Sequence, residues 1–238
     1  MVLLGALERV EYHGGPGFLL KGGVAIELRL RMKARATKDV DVVFRGSRDQ
    51  LLEALDDAFA HPYADFTYLR GEPEDHGPHA LRFDVKLAYQ TRAWATVRLE
   101  VSQAEIGTDE IELVPAIGLE DFALAGPDEV ACLPLRYQIA QKLHAVTERP
   151  ERRENVRFRD LVDLAILREL IEDHSAVRRA CEETFEHRGT HSWPPDLVAP
   201  AAWADGYRAL ATELGLDVVD VDAAAEQVRD LIDELISA

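Results

Sequence analysis

The hydrophobic period of this chain changes once, near residue 118, and that change limits its fold more than any other feature. Before it, apolar residues alternate, as in Leu81, Phe83, Val85 and Leu87 or Val97, Leu99 and Val101, the pattern of strands with one buried face. Beyond Gly118 the spacing becomes helical, and segments near 119–125, 134–148, 157–172, 174–187, 201–214 and 221–236 each read as helix, with no further strand expected. Pro115, Pro127 and Pro134 punctuate the join. The expectation is a first domain over 1–117 of the α+β (α/β) class and an all-helical second domain over 118–238.

Within the first domain, residues 2–12 read as a short helix stopped by His13-Gly14-Gly15-Pro16-Gly17. Phe18-Leu19-Leu20 follows as a short buried strand running into Lys21-Gly22-Gly23, and Val24 to Met32 reads as a helix. Asp39-Val40-Asp41-Val42-Val43-Phe44 is β-branched and apolar apart from its two acids, which suits a central strand. Gln50 to Ala60 is an amphipathic helix, and strands are expected at 64–70, 80–89 and 94–102, with a short strand or edge at 110–117.

Net charge is −17, which argues against a general nucleic-acid coat protein. The cations are not spread evenly, however. They outnumber acids between Lys21 and Arg48 and between Arg136 and Asp160, whereas acids dominate after residue 200. The plain reading of such clusters is a solvated face; inside an acidic chain they also suit a local anion such as triphosphate or RNA backbone. No apolar run approaches the roughly 20 residues of a membrane span, and the first nine residues lack a basic leader. Cys132 and Cys181 stand far apart without metal-ligand spacing and are read as reduced packing residues of a cytoplasmic protein.

Two residues apart on a strand, Asp39 and Asp41 project from one face. Two carboxylates so close need a compensating cation to stay ionised together, and Mg²⁺ takes hard oxygen ligands from one or two carboxylates plus substrate phosphates. Upstream, Gly22-Gly23 lies between a strand and a helix, where glycines allow a phosphate close to the backbone and the helix start offers N–H groups. Taken singly, the glycines are a plain turn and the acids a strand-edge pair. Their order along the chain argues for one site. Neither a P-loop nor a dinucleotide fingerprint is present.

Phe18-Leu19-Leu20-Lys21-Gly22-Gly23-Val24-Ala25, followed by Arg35-Ala36-Thr37-Lys38-Asp39-Val40-Asp41-Val42, resembles the AbiEii/AbiGii nucleotidyltransferase toxin family of the DNA polymerase β-like superfamily. The resemblance implies a polymerase β-like catalytic domain with a mixed sheet, followed by the helical domain. It implies nucleotide binding by Lys21, Gly22, Gly23 and Thr37, and Mg²⁺ binding by Asp39 and Asp41. The superfamily's third carboxylate comes from a later strand. Glu100 is the first candidate, Asp84 the second, and a solvent-facing strand residue is the plain alternative for Glu100.

In the second domain, Leu135, Ile139, Leu143 and Val146 form an apolar helical stripe, and Lys142 falls inside it. Asp160 shares a face with Leu164, Leu167 and Ile171 on the next helix. An unpaired buried charge is costly, so each needs a partner. One reading is a buried Lys142–Asp160 ion pair that fixes the helix crossing. In the other, Lys142 faces a triphosphate and Asp160 positions it or the acceptor. Gln141-Lys142-Leu143-His144-Ala145 and Arg159-Asp160-Leu161-Val162-Asp163-Leu164 again resemble the AbiEii-type family, which requires the corresponding lysine and aspartate for activity. His144 reads as a helix-surface histidine, and His187 and His191, astride Gly189, do not share a helical face as metal ligands.

The resemblance thus implies Mg²⁺-dependent transfer of NMP from an NTP to a tRNA 3′ end, by a toxin with a possible antitoxin partner and no membrane association. A small-molecule or protein acceptor, or a non-catalytic binding module on the same scaffold, remain open alternatives.

Overall fold

In the computed structural model of the chain, residues 1–30, 37, 39–77, 80–119, 123–150 and 154–238 are described. They form two compact units, one extending to Leu133 and the other starting at Pro134. The basic residues Arg31, Lys33, Arg35, Lys38, Arg152 and Arg153 lie outside the described residues, as do residues 120–122 of the helix expected at 119–125, whose described residues are not helical.

The first unit contains α1 (Val2–Leu7), β1 (Glu11–Tyr12), β2 (Gly15–Pro16), β3 (Phe18–Lys21), α2 (Gly22–Leu30), β4 (Asp39–Phe44) and α3 (Arg48–Phe59). It continues with β5 (Phe66–Arg70), β6 (Glu74–Asp75), β7 (Ala80–Tyr89), β8 (Arg92–Gln103), β9 (Glu112–Pro115) and β10 (Glu129–Cys132). Among the described residues the main sheet has the order β5-β7-β8-β4-β3-β10-β9, with β6 paired to β7. It is mixed: β4 runs parallel to β8 and antiparallel to β3, whereas β10 runs parallel to β3.

One face of this sheet carries the core. Leu20, Val42, Phe44, Phe83, Leu99 and Val101 pack with Leu3 and Leu7 of α1 and Leu51 and Leu55 of α3. Each such side chain contributes about 1.5–3 kcal/mol when fully withdrawn from water. The start of α3 is tied by the Gln50 side-chain oxygen, which accepts from the Ser47 backbone N–H at 3.0 Å. Strand alternation therefore sends Asp39, Asp41, Arg98, Glu100, Arg82 and Asp84 to the opposite face.

Two sequence expectations need correction here. The helix expected over 2–12 ends at Leu7, and Glu11–Tyr12 pairs with Gly15–Pro16 across a turn in which His13 and Gly14 have positive φ. Strands also do not end at residue 117. β10 joins the sheet through Cys132 opposite Leu20 and pairs antiparallel with β9, so the first compact unit reaches Leu133. A four-residue strand stabilised by such distant partners carries too little periodicity to be read locally.

The second unit is helical: α4 (Leu135–Thr147), α5 (Phe158–Leu167), α6 (His174–Arg188), α7 (Ala204–Glu213) and α8 (Val221–Ser237), with 3₁₀ turns at Arg168–Leu170 and Ala201–Trp203. Asp173 caps α6 by accepting from the Ala176 N–H, and Asp220 caps α8 by accepting from Asp222 and Ala223. Gly189, with φ of 62°, closes α6 in the left-handed conformation. α4 packs against both α5 and α6. Trp203 is buried, and its indole N–H donates to the Asn155 carbonyl at 2.6 Å. Among the described residues no helix is long and apolar enough to cross a membrane.

Candidate active site

Gly22 meets Asp41, and Gly23 meets Thr37. β3 delivers the chain to Gly22, whose φ of 66° turns it directly into α2. β4 lies antiparallel to β3 with Asp41 opposite Lys21, so the Asp41 side chain comes to rest over that turn. A Cβ built on Gly22 would stand 2.1 Å from Asp41 Oδ2, and one on Gly23 would stand 3.0 Å from the Thr37 Cβ. Gly22 is thus required by its neighbour and by its backbone angle, whereas a side chain at Gly23 would press on Thr37 by only a few tenths of an ångström. The Thr37 hydroxyl donates to the Asp39 carbonyl at 3.2 Å, tying the approach to β4. Lys21, Gly22, Gly23, Thr37 and Asp41 gather at the N-terminus of α2, where the first N–H groups lack intrahelical acceptors, and Asp39 stands two residues before Asp41 on the same face of β4.

Register decides where the later carboxylates fall. β8 runs parallel to β4 with Glu100 opposite Asp41 and Arg98 opposite Asp39. On β7, Arg82 is opposite Glu100 and Asp84 is opposite Arg98. Glu100 is therefore the immediate neighbour of Asp41, whereas Arg98 stands between Asp39 and Asp84. Two of the acids on this face have a basic side chain at hand: Arg98 lies 3.6 Å from Asp39, and Arg82 and His76 lie 3.5 and 3.2 Å from Glu100.

Nucleotidyltransferases generally use divalent metal ions, and the donor set here fits a hard one. Asp39, Asp41 and Glu100 offer only carboxylate oxygens on one sheet face, and Mg²⁺ characteristically binds through one or two carboxylates while phosphates and water complete its shell. Among the described residues, no three His, Cys, Asp or Glu side chains stand close enough to enclose an ion unaided.

In the second unit, Lys142 and Asp160 are brought together as expected, with a third group that the sequence reading passed over. The Lys142 ammonium donates to Asp160 Oδ1 at 2.8 Å and to Asp163 Oδ2 at 2.7 Å. Arg157, three residues before Asp160, contacts its other oxygen. Burial works against the charged amine, which is 8% exposed, but Asp160 and then Asp163 outweigh it and raise its pKa above the usual lysine value. The signal for Asp163 was present in Arg-Asp-Leu-x-Asp-Leu: acids at i and i+3 share a helix face.

His144 is not the surface residue that its sequence suggested. It is 3% exposed, with Nε2 3.0 Å from the Thr190 hydroxyl and its ring 4.5 Å from that of His191. Burial lowers the His191 pKa, and the Thr147 and Thr190 hydroxyls occupy its two ring nitrogens. These histidines are packing and hydrogen-bonding residues.

Comparison with known proteins bears on the fold and the family. No curated protein sequence matches the chain. In structure it is similar to MenT4, a nucleotidyltransferase toxin from Mycobacterium tuberculosis H37Rv, at 16% identity and a TM-score of 0.63, covering 99% of this chain and 81% of that one. It is also similar to JHP933 from Helicobacter pylori, at 14% identity and a TM-score of 0.51, covering 98% and 87% respectively. At such identities these likenesses speak for the fold alone. The model of the nucleotidyl transferase AbiEii toxin family, type IV toxin–antitoxin system, matches residues 5–231. With nearly the whole chain matched, the protein belongs to the AbiEii nucleotidyltransferase toxin family and is a nucleotidyltransferase.

Proposed function

We propose that the chain transfers NMP from an NTP to the 3′ end of a tRNA, with Mg²⁺ held by Asp39, Asp41 and Glu100. The observation that carries this reading is the Asp41 carboxylate packed against the bare Cα of Gly22 at the start of α2. A phosphate seated there meets backbone N–H groups and a carboxylate-held cation together. The ion, when bound, supplies positive charge against the triphosphate and the attacking hydroxyl. The N–H groups at Gly22 and Gly23, with Lys21 and Thr37, hold the phosphates while the pyrophosphate departs.

Lys142 gives two of its three ammonium hydrogens to Asp160 and Asp163, which keep it charged and in place. Its third hydrogen is the one offered to a phosphate oxygen, with Asp160 as the positioning group. As an AbiEii-type toxin the protein has an antitoxin partner and acts in the cytoplasm, where NTPs and tRNA are found.

The test is transfer of label from each of four α-phosphate-labelled NTPs to tRNA. Label reaches tRNA with the unaltered protein and is lost with Asp41→Asn and with Lys142→Met. Undiminished transfer by either folded variant refutes the role assigned to that residue. The net charge of −17 favours a second acceptor reading, since it opposes RNA binding overall. Label in protein or in a small molecule, with none in tRNA, selects that alternative.

A further inference from the structure

Two arginines and a histidine face the proposed metal ligands, and no phosphate-binding motif of the sequence accounts for them. Arg98 lies 3.6 Å from Asp39, and both side chains are about half exposed, at 51% and 43%. Arg82 Nη2 lies 3.5 Å from Glu100 Oε2 and 2.9 Å from His76 Nε2, which itself stands 3.2 Å from the same carboxylate oxygen. The Arg82 Nε is buried without a hydrogen-bond partner, so this arginine is only partly satisfied where it stands. A buried N–H left without an acceptor is a cost that a rearranged partner would relieve.

The register makes these pairings systematic. On the polar face of β4, β8 and β7, two rows cross the strands: Asp41-Glu100-Arg82, which ends on an arginine, and Asp39-Arg98-Asp84, which has an arginine at its centre. Each outer acid of the proposed metal set therefore has an arginine as its nearest opposite charge on the adjacent strand position. A divalent ion drawing on Asp39 and Glu100 must compete with these guanidinium groups. The geometry allows the exchange, because long, partly exposed ion pairs, half exposed at Asp39 and about a quarter exposed at Glu100, yield at little cost.

We propose that Arg98 and Arg82 are resident counter-ions of the metal-binding carboxylates. They neutralise Asp39 and Glu100 in the metal-free protein, are displaced when a divalent cation enters, and so set how tightly the site takes metal before nucleotide arrives. They are positioning residues that act through the carboxylates. Loose binding of the ion alone then makes the nucleotide's own phosphates necessary for a full coordination shell, which couples metal capture to substrate capture.

This inference rests on the metal role proposed above, and the experiment separates the two. Mn²⁺ alone is titrated into the full chain at low ionic strength, with unbound ion read by electron paramagnetic resonance. Arg98→Met and Arg82→Met are expected to bind Mn²⁺ about three- to fivefold tighter than the unaltered protein, the size a partly exposed ion pair can have. Arg98→Lys should restore ordinary affinity, which a mere folding effect of Arg98→Met would not explain. Unchanged or weaker binding by both methionine variants, or no measurable binding by any protein, overturns the counter-ion proposal. Asp41→Asn reports on the underlying reading: if it binds Mn²⁺ as well as the unaltered protein, the metal assignment itself fails.

Discussion

Replacing Gly22 by alanine tests the contact on which the site is built. The substitution has two separable consequences. An L-residue at φ of 66° costs about 1–2 kcal/mol through its own backbone. The new methyl would also lie 2.1, 2.8 and 2.9 Å from Oδ2, Cγ and Cβ of Asp41, whereas ordinary contact begins near 3.4 Å. The carboxylate must therefore retreat by about 1 Å or more, a displacement that in an active site can lower turnover by about 10²-fold. Unfolding in urea should show Gly22→Ala less stable by about 2–5 kcal/mol, the backbone cost together with a crowding cost of order 1–3 kcal/mol. Pairing it with Asp41→Gly removes the crowding and leaves only the backbone cost. A double-mutant cycle should then show a coupling of at least about 1 kcal/mol. Additive effects in that cycle would mean that Asp41 does not rest on Gly22, and the proposed site would lose its central contact.

Three further outcomes follow from the same structure. Lys142→Met leaves Asp160 and Asp163 buried without their ammonium partner and should destabilise the protein by about 3–5 kcal/mol in urea; adding Asp160→Asn and Asp163→Asn should recover much of that loss, and no recovery would contradict a charge effect. Because the Lys142 pKa is raised in the folded state, its contribution is complete below the ordinary value of 10.5. Above that pH the unfolded chain releases its proton first, so stability should fall as pH climbs through the raised value, and melting curves for Lys142→Met should lack this component. Burial pushes the Cys132 thiol up to about 12 and raises Cys181 as well, so neither should react with a disulfide reagent at pH 8 until denaturant is added; rapid reaction of the native protein would contradict their burial.

Much of the fold was legible because its signals are local. Asp39–Phe44 combines β-branched residues with alternating acids, and it forms the strand expected at those positions. The helices after Pro134 follow apolar stripes with recognisable stops, and α6 ends at Gly189 for the same backbone reason that glycine is used there. The hairpin of β1 and β2 was hidden because its four paired residues are too few to show a period. His144 was misjudged for a different reason: α4 is covered on more than its apolar stripe, and a neighbouring helix and loop bring Phe185, Thr190 and His191 onto its polar side. Amphipathicity reports one buried face and cannot report a second.

The candidate site divides along the same line. Gly22, Gly23, Asp39 and Asp41 could be singled out from the sequence, since their chemistry and spacing lie within about one supersecondary unit of chain. The choice between Glu100 and Asp84 as nearest neighbour of Asp41 could not, nor could the pairing of Arg98 with Asp39 or of Asp163 with Lys142. Each depends on which residues stand opposite one another across strands or between helices. A one-residue slip of β8 along β4 would turn Glu100 into the core and Leu99 outward, reversing the face without changing a single residue. Period and composition determined which elements this chain forms and which side chains are able to do chemistry. Only the backbone hydrogen bonds and packing between distant segments decided which of those side chains meet.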